Sequence, residues 1–162
     1  MKKAYVVILM GSKSDLEHAQ KIKSAAESFG IPVELRVGSA HKTAEHVTQM
    51  LKAYEADPTP KVYVTIAGRS NALSGFTDGM VTAPVIACPP PSESYAGADI
   101  YSSLRMPSGI APAVVLEPAN AALLAAKIIA LTDAEVKQKV AAFQHKNART
   151  IIQDDQELYG KH

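Results

Sequence analysis

The chain has little that would tie it to a secreted, membrane-bound or nucleic-acid-binding life. It carries one cysteine, Cys88, which cannot form an intramolecular disulfide framework and suits a reducing compartment. Neither sign of charge is in excess. Seventeen Lys and Arg stand against 16 Asp and Glu, a formal net charge of +1 scattered without a basic run. A strongly basic nucleic-acid-binding surface is thereby excluded. No apolar run reaches ~18 residues, the length a membrane-spanning helix needs. The first strand begins at Ala4, which leaves no room for a cleaved leader, so the reading is a soluble cytoplasmic protein. No Cys, His and carboxylate residues stand at metal-ligand spacing, and no metal is expected. Cofactor fingerprints are missing too. No Gly-x-Gly-x-x-Gly follows the first strand, and no Gly-x-x-x-x-Gly-Lys-Ser/Thr occurs anywhere. A phospho-receiver domain would end its third strand on aspartate, where this chain has Ala67 and Gly68.

What is present is an apolar chain, 47% of 162 residues, long enough to bury a core of its own as a single domain over 1–162. Ala4 to Met10 is a continuous apolar run, the pattern of a strand buried on both faces. Leu16, Ala19, Ile22, Ala26 and Phe29 then recur at helical spacing until Gly30 and Pro32 end the helix. Val33 to Val37 reads as a second strand, Val62 to Ala67 as a third, Pro84 to Cys88 as a fourth and Ala113 to Leu116 as a fifth. Val47, Met50, Leu51 and Tyr54 mark a helix between the second and third. Alternation of this kind predicts an α/β fold: a three-layer αβα sandwich with a flavodoxin-like parallel sheet. The connection from Pro89 to Pro112 is long enough to be functional, with a helical turn expected near Ile100 to Leu104.

Additional C-terminal helices complete the chain. Asn120 to Leu131 is apolar nearly all round, with Lys127 its only charge. Thr132 to Glu135 is a capping-box pattern opening a further helix, striped by Val136, Val140, Phe143 and Ile151. Two apolar helices exceed what five strands need for cover, which predicts an obligate homo-oligomer.

In an open parallel sheet, ligands bind beyond the carboxyl ends of the strands. Those ends hold Gly11 to Asp15, Gly38 to Thr43, Gly68 to Gly75 and Cys88 to Pro91. The first two are hydroxyl-bearing turns before helices, suited to an anion through backbone N–H groups and the helix dipole. Ser12 and Asp15 have a competing reading, because Ser14 to Glu17 is itself a capping box with Ser14 as N-cap. Thr43 likewise suits the N-cap of the second helix, whereas Ser39 and Lys42 are free to suit a phosphate. His41 brings an imidazole, the side chain fitted to proton transfer near neutral pH. His18 and His46 fall within helices and are read as solvated, and His145 and His162 lie toward the C-terminus. Ala67 to Gly75 is either an αL turn opening a helix or a close approach to a planar ligand. Cys88 has no base beside it in sequence and reads as a buried structural thiol.

Met10 to Asp15, Gly38 to Thr43 and Ala67 to Gly75 together resemble the phosphoribosylaminoimidazole carboxylase family of purine biosynthesis, with support from Ala87 to Pro91, Leu104 to Pro107 and Asn120 to Leu124. One branch of that family is a mutase acting on N5-carboxyaminoimidazole ribonucleotide; the other carboxylates aminoimidazole ribonucleotide directly with CO2. The mutase turn reads Ser-Ala-His-Arg, and its third loop Ala-Gly-Gly-Ala-Ala-His-Leu-Pro-Gly. Lys42, and Arg69, Ser70, Asn71 and Ala72 in the third loop, resemble the direct (class II) branch instead. The resemblance implies that His41 is catalytic. It implies that Gly11, Ser12, Asp15, Ser39, Lys42, Gly68, Arg69, Ser70, Asn71 and Met106 bind substrate. Ser12, Ser39 and Lys42 would take the 5′-phosphate, and Asp15 the ribose hydroxyls. It implies further a homo-octamer with sites near subunit boundaries and no requirement for ATP, biotin or a metal. A mutase, and a ribonucleotide-binding subunit without catalysis, are the alternatives.

Overall fold

The apolar run near the start of the chain forms β1 (Tyr5–Met10), and its side-chain alternation sets up the layers. Val6, Ile8 and Met10 enter one core and Val7 and Leu9 the other, as the two-residue period of a strand dictates. A computed structural model of the chain describes residues 2–159, so His162 lies outside the described residues. β2 (Val33–Val37), β3 (Lys61–Ile66), β4 (Val85–Ala87) and β5 (Ala113–Val114) complete a sheet of order β2-β1-β3-β4-β5. Every neighbouring pair is parallel, and this is the flavodoxin-like order. The chain reverses its direction of travel across the sheet between β1 and β3, which opens a crevice at their carboxyl ends.

Helix α1 (Leu16–Ser28) buries Ala19, Ile22 and Ala26 against one face of the sheet, beside α5 (Pro118–Ile129). Burying a side chain such as Ile22 is worth about 1.5–3 kcal/mol. Gly30 ends this helix as expected: it sits at φ +77, where a side chain would be strained. On the opposite face, α2 (Ala44–Glu55) and the short α3 (Ala72–Asp78) cover Val7, Leu9 and Tyr63. The long connection holds a 3₁₀ segment and then α4 (Tyr101–Leu104), close to the expected helical turn.

The last helix, α6 (Ala134–Tyr159), corrects one boundary. Its cap is Asp133, whose Oδ1 accepts from the N–H groups of Glu135 (2.9 Å) and Val136 (3.0 Å). Thr132, expected in that role, turns its hydroxyl back toward the Ile129 carbonyl (3.4 Å), which also accepts from the Thr132 and Asp133 N–H groups (3.0 Å each) in the turn that ends α5. Val136 and Val140 are buried, and Phe143 meets Phe29 edge-to-face at 5.5 Å. Beyond that point the helix leaves the body, and Ile151 is 68% exposed. No helix among the described residues is long and apolar enough to cross a membrane.

The core also sets an alkaline limit. Burial, aided by Asp57 and Glu34, pushes the Tyr5 phenol up to about 12. Burial, then Glu117, pushes the Cys88 thiol up to about 12. Tyr63 is raised too, by burial and by the bond its hydroxyl donates to Glu55. These groups hold their protons in the folded state after the unfolded chain, with ordinary values of 9.0 for the thiol and 10.0 for the phenols, has released them. Unfolding therefore becomes progressively easier as pH rises from 9 toward 12. Urea midpoints measured across that range should fall steadily; a flat profile would show that these groups titrate alike in both states.

Candidate active site

Three turns meet at the crevice because the backbone ladder runs on past the strands. Gly11 donates its N–H to the Ile66 carbonyl (2.8 Å), tying the first turn to the end of β3. Gly38 donates to the Met10 carbonyl (2.9 Å), tying the second turn to the end of β1. A methyl group on Gly38 would stand 2.7 Å from Val47 Cγ2, so glycine is what lets α2 pack this close to the strand end.

In the first turn the cap lies earlier than expected. Ser12, not Ser14, is the N-cap: its Oγ accepts from the Ser14 N–H (3.2 Å) and from the Ser14 hydroxyl (3.0 Å). Asp15 closes the box, its Oδ2 accepting from the Ser12 N–H (3.2 Å). A 3₁₀ turn over Lys13–Asp15 precedes α1, which is why the box shifts two residues toward the N-terminus. Burial raises the Asp15 carboxyl above its ordinary value, against the lowering effect of the Ser12 N–H. Ser12 keeps its own proton to donate, and Asp15 keeps Oδ1 without a partner among the described residues.

The second turn closes on itself and leaves its functional groups outside. Thr43 Oγ1 accepts from the Ser39 N–H (2.9 Å) and donates to the Ser39 carbonyl (3.2 Å), and Ser39 Oγ accepts from the Lys42 N–H (3.3 Å). Thr43 stands at the N-cap position of α2 but makes no capping bond, since its hydroxyl is spent on Ser39. The N-terminus of α2 is left uncapped, with its positive dipole end open beside Lys42. His41 and Lys42 are exposed, and the imidazole has no hydrogen-bond partner among the described residues.

The third loop is held from outside. Arg69 has φ +55, a left-handed conformation that costs a side-chain-bearing residue about 1–3 kcal/mol. Asn71 is 3% exposed: its Oδ1 accepts from the Ser74 N–H (3.1 Å) and hydroxyl (2.9 Å), and its Nδ2 donates to Ser103 Oγ (2.9 Å). Its side-chain amide is occupied within the chain. The Arg69 and Ser70 N–H groups have no hydrogen-bond partner among the described residues, both residues are exposed, and Gly68 stands against Pro90. Met106 lies over α3, its Sδ 3.0 Å from where a Cβ on Gly75 would be.

Among the candidate residues only Gly68 also lines a cleft of about 530 Å³ on the α1 side of the crevice. His18, Lys21, Pro90, Asp99 and Glu117 form much of its wall. His18 was expected in solvent, yet it is half-buried and its Nε2 lies 3.2 Å from the Cys88 carbonyl. Desolvation holds its imidazole below the ordinary value despite that bond. Helical periodicity places His18 on α1 but carries no signal for the β4 end across from it. Cys88 is fully buried, in line with a structural thiol. No group of three or more metal-ligating side chains occurs among the described residues.

Residues 5–150 match a family model described as AIR carboxylase. The chain is 65% identical over 153 residues to a phosphoribosylaminoimidazole carboxylase of Treponema denticola, covering 94% of this chain and 96% of that one. It is 55% identical over 152 residues to a phosphoribosylaminoimidazole carboxylase of Archaeoglobus fulgidus, covering 94% and 83% respectively. The crystal structure of Treponema denticola PurE superposes with a TM-score of 0.94 at 63% identity, covering 96% of this chain and 99% of that chain.

Proposed function

This chain belongs to the AIR carboxylase family, and from that premise we propose that it carboxylates 5-aminoimidazole ribonucleotide reversibly at C4 with CO2 in purine biosynthesis. The observation that carries the reading is the second turn, where an unpartnered His41 projects beside Lys42 and the uncapped start of α2. Ser12, Ser39, Lys42 and the α2 N-terminus supply donors and positive potential for the 5′-phosphate. Asp15 Oδ1 accepts from the ribose hydroxyls. The base then lies toward the third loop, against Gly68 and the unpartnered N–H groups of Arg69 and Ser70, with Met106 as an apolar wall.

In the forward direction the electron-rich C4 attacks the carbon of CO2, and one C=O π pair moves onto oxygen to complete a carboxylate. C4 now carries both that carboxylate and its original hydrogen. His41 takes the hydrogen as a proton, and the C–H electron pair returns to the ring and restores aromaticity. The reverse reaction uses the same proton on C4 to release CO2. Every electron comes from the substrate, so the scheme calls on no ATP, biotin or metal. Pro90, packed at Gly68, and the buried Pro89 give this edge apolar surface for positioning CO2.

The homo-octamer belongs to the same proposal. The α6 segment from 141 to 159 is exposed throughout and carries Phe143, Ile151, Ile152 and Leu158, an apolar load suited to burial against further copies. Assembly of this kind in the cell interior accords with the single buried thiol.

An assay with aminoimidazole ribonucleotide under varied CO2, beside N5-carboxyaminoimidazole ribonucleotide without added CO2, tests the chemistry. CO2-dependent turnover of the first substrate alone is expected. Efficient turnover of the second, with a slow and CO2-insensitive first reaction, would assign the mutase. Sedimentation velocity on the same preparation should give an octamer; a monomer would refute the assembly.

A further inference from the structure

We propose that Ser102 is a positioning residue for the third loop, its hydroxyl clamping the backbone on both sides of Ser70. It touches no substrate in this scheme, and the inference rests on the carboxylase reading above. Ser102 Oγ lies 3.0 Å from the Arg69 carbonyl and accepts from the Asn71 N–H at 2.9 Å. It also reaches the Asp99 carbonyl at 2.8 Å, so a single atom joins the loop to a segment about thirty residues further along.

Arg69 is what makes such a clamp necessary. Its φ of +55 is a conformation that an arginine leaves unless its surroundings hold it. Within the loop itself the only local backbone bond is from the Ala72 N–H to the Ser70 carbonyl (3.1 Å), which does not involve Arg69. The Arg69 carbonyl and the Asn71 N–H are the polar groups on either side of Ser70, and Ser102 Oγ lies within hydrogen-bond distance of both. A hydroxyl has one proton and two lone pairs, so it accepts from Asn71 while its proton serves either Arg69 or Asp99. Ser102 lies on α4, which ends at Leu104, and Met106, which packs over Gly75, follows two residues later.

Ser102→Ala, Ser102→Thr and the near-isosteric Ser102→Cys, a much weaker donor and acceptor, test the assignment in the full-length protein. With Ser102→Ala or Ser102→Cys, kcat for carboxylation should fall about tenfold, the size of one lost hydrogen bond. The KM for ribonucleotide should stay within about twofold, because the phosphate is held by the other two turns. Ser102→Thr should recover most of the lost rate. An unchanged kcat, or a threonine variant as poor as alanine, overturns the proposal; so does a parallel change in kcat, KM and thermal midpoint, which would mark a merely structural role. An inactive wild-type enzyme would sink the carboxylase reading instead. The clamp itself is then read by hydrogen exchange of the peptide covering residues 68–74. Faster exchange in Ser102→Ala sustains it, and identical exchange overturns it.

Discussion

Replacing His41 with Asn is expected to lower turnover by about 10²–10⁴-fold while leaving ribonucleotide affinity within about twofold. The imidazole projects from a turn whose closure does not involve it: Ser39, Lys42 and Thr43 make all of the turn's own bonds. Removing the ring therefore leaves the turn, the start of α2 and the phosphate-binding groups in place. What disappears is the proposed acceptor for the C4 proton, and an amide cannot take that proton. The split between binding and rate is the critical readout, obtained by calorimetry with the ribonucleotide and by product formation under saturating CO2. Near-normal turnover would remove His41 from the mechanism. Loss of affinity together with rate would move its role to binding. Lys42→Ala is the useful contrast. In the proposed site its ammonium holds the phosphate equally in ground and transition states, so its removal should raise KM and change kcat little.

Asn71→Ala is expected to lower the thermal midpoint by roughly 5–15 °C, from a destabilisation of about 2–4 kcal/mol and the usual 2–4 °C per kcal/mol for a domain of this size. Asn71 caps α3 through Oδ1 and reaches Ser103 through Nδ2, and Ser103 is 1% exposed. Alanine leaves the Ser74 N–H and the Ser103 hydroxyl without those partners in a region closed to water. Thr65 still holds the Ser74 hydroxyl (2.8 Å), which limits the loss. Asn71→Asp keeps the capping acceptor and gives up the amide donor, so its midpoint should fall by less than half as much. Thermal scans of the two variants at neutral pH decide the matter. An unchanged midpoint in Asn71→Ala, with ribonucleotide affinity abolished, would return this side chain to the substrate-binding role expected from sequence.

The architecture was legible because it is written in local periodicity. A continuous apolar run at β1, helical spacing from Leu16 to Phe29 and glycine at the left-handed end of that helix are properties of neighbouring residues. Five parallel strands with helices between them followed from that alternation, and so did the edge on which the turns had to gather. His41 stood out for the same reason, as the histidine placed in a strand-to-helix turn rather than within a helix. The family was legible in the three turns taken together.

The partners of polar side chains were a different matter. The sequence showed a capping box at Ser14, and the 3₁₀ turn over Lys13–Asp15 moved the box to Ser12. Thr132 was the expected cap of α6, and the structure gives that role to Asp133, whose carboxylate accepts from Glu135 and Val136. Asn71 looked free for a ligand until the fold brought Ser103 to it from 32 residues away, and His18 looked solvated until β4 placed Cys88 against it from 70 away. Sequence alone determined the fold and the edge on which the three turns gather, because the periodicities behind them reach only a few residues, and the turn motifs themselves determined the family. Tertiary structure alone decided which polar groups are spent on holding the site together, because a hydrogen bond depends on where two side chains meet in space.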